Sequence, residues 1–265
     1  MIIANWKSNM VDIFQWSNDF YDVYILSVVD EESKCTIFGI APPSIYIEKV
    51  QSMITNTNTL VFDIDARELG FNDSPLCGVQ DVDHSYGSRT GAISVDMVCE
   101  SGCEFAIIGH SERRDIFNED NELIKKKLKS LNNKIATVLC IGETKEENDE
   151  GITKDVLKEQ LDIVKGIELD QSFTVAYEPV WAIGSGLTPE PKDINEIHKY
   201  IKDVVQSNSA NNLLPKVLYG GSVTDKNAES FFKEEFVDGA LVGGASLDGS
   251  TFAKIVNIFS GIDKK

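Results

Sequence analysis

The feature that most restricts this chain is an eightfold alternation of short apolar, β-branched runs with longer amphipathic stretches. The runs fall at residues 2–5, 36–40, 76–79, 105–108, 135–140, 173–177, 216–219 and 237–242. Between them, segments such as 153–165 and 194–205 space apolar residues three and four apart, as on one face of a helix. Strands that are apolar along their whole length are covered on both faces, which is the situation of parallel strands sheathed by helices. Eight such units predict an α/β chain folded as a closed (β/α)8 barrel, with residues 1–265 forming one domain, a length that such barrels reach as a single unit. A doubly wound open sheet fits the alternation too, but no GxGxxG opens a helix after the first run and no Walker phosphate loop is present.

Composition narrows the partners. With 43 acidic against 25 basic residues the formal charge is −18, and the acid is spread along the chain, which argues against a nucleic-acid or anionic-membrane partner. The one basic cluster, Lys125 to Lys127 with Lys129, falls among Leu123, Ile124, Leu128 and Leu131 and reads as a solvated helix face. An acidic protein that binds an anion needs a local positive site, so a phosphate pocket here should use backbone amides or a single lysine. The first residues, MIIANWK, carry neither a basic leader nor a long apolar stretch, and the mature protein is expected to begin at or near Met1 and to be cytoplasmic. Five cysteines do not form a disulfide framework; Cys99 and Cys103 read as half-buried thiols without further metal ligands, and Cys140 as a packed core thiol.

In a closed β/α barrel the chemistry lies at the carboxyl ends of the strands. The first run ends in Asn5 and is followed by Trp6 and Lys7, which puts an amide and an ammonium at the barrel mouth. The fourth ends in Gly109, His110, Ser111, Glu112, Arg113 and Arg114; the polar residues read as the first turn of a short helix, whose amides and field would favour a neutral imidazole at His110. After the sixth comes Glu178 and then PVWAIGSG: Pro179 stiffens the start, Gly184 and Gly186 loosen the far side, and the segment reads as a mobile lid with an apolar tip at Trp181 and Ile183. A carboxylate beneath a lid that excludes water is a stronger base than one in solution. Glycine-rich turns close the last two units, YGGSV with Gly220, Gly221 and Ser222, and LVGGASL with Gly243 and Gly244, where backbone amides can approach an anion.

Taken in order, NWK, GHSERR, AYEPVWAIGSG, YGGSV and GALVGGASL closely resemble the triosephosphate isomerase family, from Ile3 to about Leu247, with the segment around Glu178 the most specific. The resemblance implies a TIM barrel that interconverts dihydroxyacetone phosphate and D-glyceraldehyde 3-phosphate through an enediolate, in glycolysis and gluconeogenesis, with no cofactor and no metal. It implies Glu178 as catalytic base, His110 as electrophile and Lys7 as the positive charge for the developing anion. Asn5 and Lys7 would bind substrate, with Gly184, Ser222, Gly243 and Gly244 around its phosphate.

Family members are commonly homodimers whose third loop docks into the neighbour; here that loop runs from Gln80 to Gly91, with Thr90 as its tip. The family usually has glutamate where Ala92 stands, and the resemblance suggests that it pairs across the interface with an arginine corresponding to Arg113, so that pair is absent here. The stretch from Asn58 to Ser74 is longer than the fold needs, and Ser8 and Ser185 are mild departures. Two other functions fit the barrel. An epimerase of phosphosugars would use a metal site, for which His84, His110 and His198 are poorly placed. A non-catalytic or moonlighting scaffold would predict loss of Glu178 or His110, and both are present.

Overall fold

The computed structural model describes residues 1–29, 37–60, 75–183 and 187–262. Chain order is β1 (Ile2–Asn5), α1 (Ile13–Val29), β2 (Phe38–Ala41), α2 (Ile47–Leu60), β3 (Leu76–Val79), α3 (Val95–Glu100), β4 (Phe105–Ile108), α4 (Ser111–Ile116) and α5 (Asn121–Leu131). There follow β5 (Ala136–Ile141), α6 (Lys145–Asp149), α7 (Thr153–Leu161), β6 (Thr174–Tyr177), α8 (Pro191–Asn208), β7 (Lys216–Tyr219), α9 (Ala228–Phe232), β8 (Ala240–Val242) and α10 (Gly249–Ser260). The strands pair in sequence order, all parallel, and β8 pairs with β1 to close the barrel.

Each strand sorts its side chains by alternation. Ile3, Phe105, Ile107, Val138, Cys140, Ala176, Leu218 and Leu241 form one cluster built on strand residues alone, the barrel interior. Their neighbours, such as Ile2, Ala4, Ala106, Leu139, Val175 and Val217, join the larger layer between barrel and helices. Phe105 dominates the interior because β2 and β3 offer glycine opposite it. A Cβ on Gly39 or Gly78 would come within 2.7 or 2.5 Å of its ring. The same alternation carries to and past the strand ends, where Asn5, the last residue of β1, and Glu178, Gly220 and Gly243, each just after its strand, stand two residues beyond Ile3, Ala176, Leu218 and Leu241. The barrel that packs the core therefore also aims the site.

The expected strands are all present: 2–5, 76–79, 105–108 and 216–219 as expected, and the other four with edges moved by one to three residues. The run expected at 36–40 is observed as Phe38–Ala41, Thr36 lying outside the described residues, and the run expected at 237–242 forms a strand only over Ala240–Val242. The helix expected over 153–165 is α7 followed by a tighter turn at Asp162–Val164. The helical pattern at 194–205 lies within α8, which Pro191 opens at its first turn, where the missing N–H costs nothing. One reading is corrected: Lys127 is not part of a solvated face. It is 3% exposed, because its Nζ reaches Asp81 at 2.7 Å and Glu119 at 2.6 Å. Cys103 is likewise buried, not half-buried, while Cys99 is partly buried and Cys140 lies in the interior. Part of the extra stretch, residues 61–74, lies outside the described residues. No described helix is long and apolar enough to cross a membrane.

Candidate active site

Glu178 is the residue after β6, and the chain folds tightly around it. Its N–H donates to Ile141 O at 2.7 Å, tying it to the end of β5. Gly142 and Gly220 flank it: a Cβ on Gly142 would fall 1.7 Å from the Glu178 carbonyl oxygen, and one on Gly220 would fall 2.7 Å from its Cγ. Only glycine fits at either place. Glu178 is 2% exposed; Ser111 N–H donates to its Oε2 at 3.1 Å, and His110 Nε2 stands 3.1 Å from Oε1, close enough to pair with it.

His110 caps α4, as the polar run after β4 led one to expect. Its Nδ1 accepts from the Glu112 N–H at 3.1 Å, while the Glu112 carboxylate stands 3.6 Å from the same nitrogen, beyond hydrogen-bond reach. A ring nitrogen that accepts carries no proton, so this contact selects the neutral imidazole with its hydrogen on Nε2. Nε2 itself lies 3.1 Å from Glu178 Oε1. A substrate oxygen entering here would take over Nε2–H as its donor.

Lys7 completes the mouth. Its backbone is left-handed, φ 50°, a conformation that costs a non-glycine residue about 1–2 kcal/mol. Two side chains hold it there. Asn5 Oδ1 accepts from Lys7 N–H at 3.0 Å, and Gln80 Nε2 donates to both Lys7 O at 2.8 Å and Ala41 O at 2.9 Å. The ammonium itself pairs with Glu112 at 2.7 Å. Gln80 thus acts through Lys7 as a positioning residue. For Gln80→Leu we expect KM for an anionic substrate to rise about tenfold with a smaller fall in kcat, because two carbonyls lose their donor and the Lys7 backbone relaxes. Steady-state kinetics on the purified variant check this; equal losses in both parameters, or none, would contradict it.

These groups face a cavity of about 220 Å³ lined by Asn5, Lys7, His110 and Glu178 on one side and by Gly220 to Ser222, Gly243 and Gly244 on the other. A Cβ on Gly244 would meet nothing within 4 Å, so this backbone is open toward the cavity. Ser222 lines the cavity, but its hydroxyl donates to Ala182 O at 2.6 Å, tying the turn after β7 to the segment after Glu178. Gly184, with Ser185 and Gly186, lies outside the described residues.

The segment after Glu178 differs from the expected apolar tip. Trp181 sits in a one-turn helix, Val180–Ala182, and its indole donates to Glu143 Oε1 at 2.8 Å. Tyr177 OH donates to the same buried carboxylate at 3.0 and 3.1 Å. Trp181 is therefore an anchor, and Ile183 alone of the two lines the cavity. Burial pushes the Glu143 carboxyl above its ordinary value, while the Trp181, backbone and Tyr177 donors pull it back. Burial also pushes the Cys140 thiol well up, with the nearby Glu178 charge adding to it, so Cys140 is an inert packing thiol beneath the base.

Arg113 finds its partners within its own chain: Asp81 at 2.9 Å and Glu119 at 2.5 Å, with its guanidinium 4.1 Å from the Phe117 ring. Reading the sequence missed this group together with Gln80, Glu143 and the Ser111 amide. The IGETK segment after β5 held the one usable signal, since a glycine and an acid at a barrel strand end merit the same scrutiny as those after β4 and β6. Among the described residues no cluster of histidine, cysteine or carboxylate could hold a metal ion.

A closed parallel barrel whose carboxyl-end mouth sets a buried carboxylate against a neutral imidazole, opposite a glycine-lined cavity with a lysine at its rim, defines a β/α-barrel isomerase. The family model described as triosephosphate isomerase matches residues 1–259. A triosephosphate isomerase of Aquifex aeolicus is 38% identical over 264 residues, covering 98% of this chain and 99% of its own. Those of Baumannia cicadellinicola and Blochmanniella floridana are 38% and 35% identical, covering 97% and 100% of this chain and 95% and 97% of theirs. The chain belongs to the triosephosphate isomerase family.

Proposed function

We propose that this chain, as one barrel domain of residues 1–265, interconverts dihydroxyacetone phosphate and D-glyceraldehyde 3-phosphate with its own side chains alone. The observation that carries the reading is the Glu178–His110 pair, 3.1 Å apart and buried over a glycine-lined cavity. Glu178 removes a proton from the carbon beside the carbonyl. His110 Nε2–H donates to the carbonyl oxygen as negative charge develops, then relays protons between the two oxygens of the enediolate, while Lys7 supplies positive charge. Glu178 returns its proton to the neighbouring carbon. Asn5 shapes the Lys7 backbone and faces the substrate, and Gly184, Ser222, Gly243 and Gly244 surround the phosphate. This reaction belongs to glycolysis and gluconeogenesis, and we place the protein in the cytoplasm.

The scaffold reading loses ground, because a protein that had shed its chemistry would have no reason to keep a buried carboxylate 3.1 Å from a buried imidazole nitrogen. The working form is a homodimer. The segments after β1 to β4 share one end of the barrel and expose Met10, 89% exposed, Tyr86, 81% exposed, and Phe14, Ile45 and Phe117, while Ser8, Ser44, Gln80, Arg89 and Phe117 from the same segments line a cavity of about 520 Å³. The loop from Gln80 to Gly91, exposed from Tyr86 onward with Thr90 at its tip, is the segment we assign to the partner's cavity. With Arg113 neutralised by Asp81 and Glu119, this interface rests on apolar burial, not on an ion pair across it.

A coupled assay with a dehydrogenase, run across a dilution series, tests both parts. Turnover of glyceraldehyde 3-phosphate is expected, with specific activity falling as the dimer dissociates and changing little with salt. A folded protein without turnover would overturn the reaction. Constant specific activity in a preparation that sediments as monomer would overturn the dimer.

A further inference from the structure

Trp6 follows β1 and Trp16 lies in α1, yet their indole N–H groups converge on one acceptor. Trp6 Nε1 donates to Ser246 O at 3.2 Å, and Trp16 Nε1 donates to the same oxygen at 2.9 Å. All three residues are buried, with Ser246 fully so. Ser246 lies in the one-turn helix Gly244–Leu247 after β8, and it grips the start of that turn twice: its N–H and its hydroxyl donate to Gly243 O at 2.9 and 2.7 Å. Both lone pairs of one carbonyl are thus used by indoles from outside the turn, while the same residue's donors hold Gly243 from inside it.

Aromatic packing alone accounts for the rings but not for the shared acceptor. Trp16 stacks on Phe20 at 5.2 Å and meets Trp6 edge-on at 5.3 Å. A phenylalanine at either place would satisfy those contacts. The Ser246 carbonyl needs the N–H groups, since a buried peptide oxygen without a donor is costly.

We propose that Trp6 and Trp16 are positioning residues for the anion-binding turn: their indole donors fix the Ser246 peptide, and through it the backbone of Gly243 and Gly244, in the orientation that receives the substrate's phosphate. The inference rests on the reading that this turn takes the phosphate. On this proposal a core tryptophan on α1 bears on substrate affinity through its bond to Ser246 O.

Trp16→Phe keeps a ring in the aromatic cluster and deletes one donor. Relative to wild type, the ratio of kcat/KM for glyceraldehyde 3-phosphate to that for unphosphorylated glyceraldehyde should fall about three- to tenfold, and inhibition by inorganic phosphate should weaken by a similar factor, the effect of one buried hydrogen bond. An unchanged ratio with unchanged phosphate inhibition overturns the proposal, because a merely structural defect lowers both substrates alike. Should the variant fail to fold, the wild-type protein gives the answer. The indole Nε1–H resonances of Trp6 and Trp16 should shift on titration with inorganic phosphate, with the half-saturation seen in inhibition, and silence of both at saturation overturns the proposal. If phosphate does not inhibit the wild type at all, the reading of the turn as a phosphate site fails first. Inhibition of the wild type with no response from either tryptophan defeats this inference alone.

Discussion

Glu178→Gln should lower kcat about a thousandfold or more while leaving KM within a few-fold of wild type. The amide matches the carboxylate in size and can still accept from Ser111 N–H, so the pocket formed by Gly142 and Gly220 stays filled. What it cannot do is take a proton from carbon. A thousandfold loss corresponds to about 4 kcal/mol of lost transition-state stabilisation, far more than any rearrangement of a pocket so tightly bounded by backbone would cause. Single-turnover measurement separates the chemical step from product release and checks that the loss lies in proton transfer. A variant that retains a tenth of wild-type kcat would mean that another group abstracts the proton.

The second large effect is expected at His110. His110→Gln keeps a side-chain N–H that can reach a substrate oxygen, but it removes the ring that passes a proton from one oxygen to the other. A fall in kcat of about a hundredfold is predicted, smaller than for the base because hydrogen-bond donation to the enediolate survives in part. The cap of α4 bears on this. The imidazole Nδ1 accepts from Glu112 N–H, and a glutamine that loses this contact also loosens the first turn, at a cost of about 1 kcal/mol of stability. Thermal denaturation measured beside the kinetics distinguishes the two consequences. A large drop in stability with near-normal kcat would contradict the role assigned to His110.

Much of this was legible in the sequence because barrel and site obey one periodicity. Runs of apolar residues announced strands buried on both faces, and the residues just past them had to lie at one end, so Asn5, Lys7, His110, Glu178, Gly243 and Gly244 could be named before any coordinate. All six line the one cavity. At 237–242 the strand is confined to Ala240–Val242 because Gly239 takes φ 142°, out of the extended conformation, although Asp238 and Gly239 still bond the backbone of β7.

What stayed hidden depends on contacts between distant segments. Lys127 looked like one of several surface lysines, and only the approach of Asp81 and Glu119 makes it a buried charge. Trp181 looked like a lid tip until Glu143, 38 residues away, was seen to bond its indole. Gln80 opens a loop that reads as polar and unremarkable, and nothing in its neighbours says that its amide will bridge the ends of β1 and β2. Alternation along a chain predicts which way a side chain faces; it does not predict what it meets there.

Isomerisation of dihydroxyacetone phosphate in deuterium oxide, followed by proton NMR, tests whether a single carboxylate transfers the proton through an enediolate. Fast conversion is expected, with deuterium incorporated at the carbon beside the carbonyl on one face only, because Glu178 acts from a fixed side of the cavity and exchanges its proton with solvent in the intermediate's lifetime. Rapid product formation with no deuterium in product or recovered substrate, in an enzyme whose Glu178→Gln variant is equally fast, would contradict it and place the chemistry elsewhere.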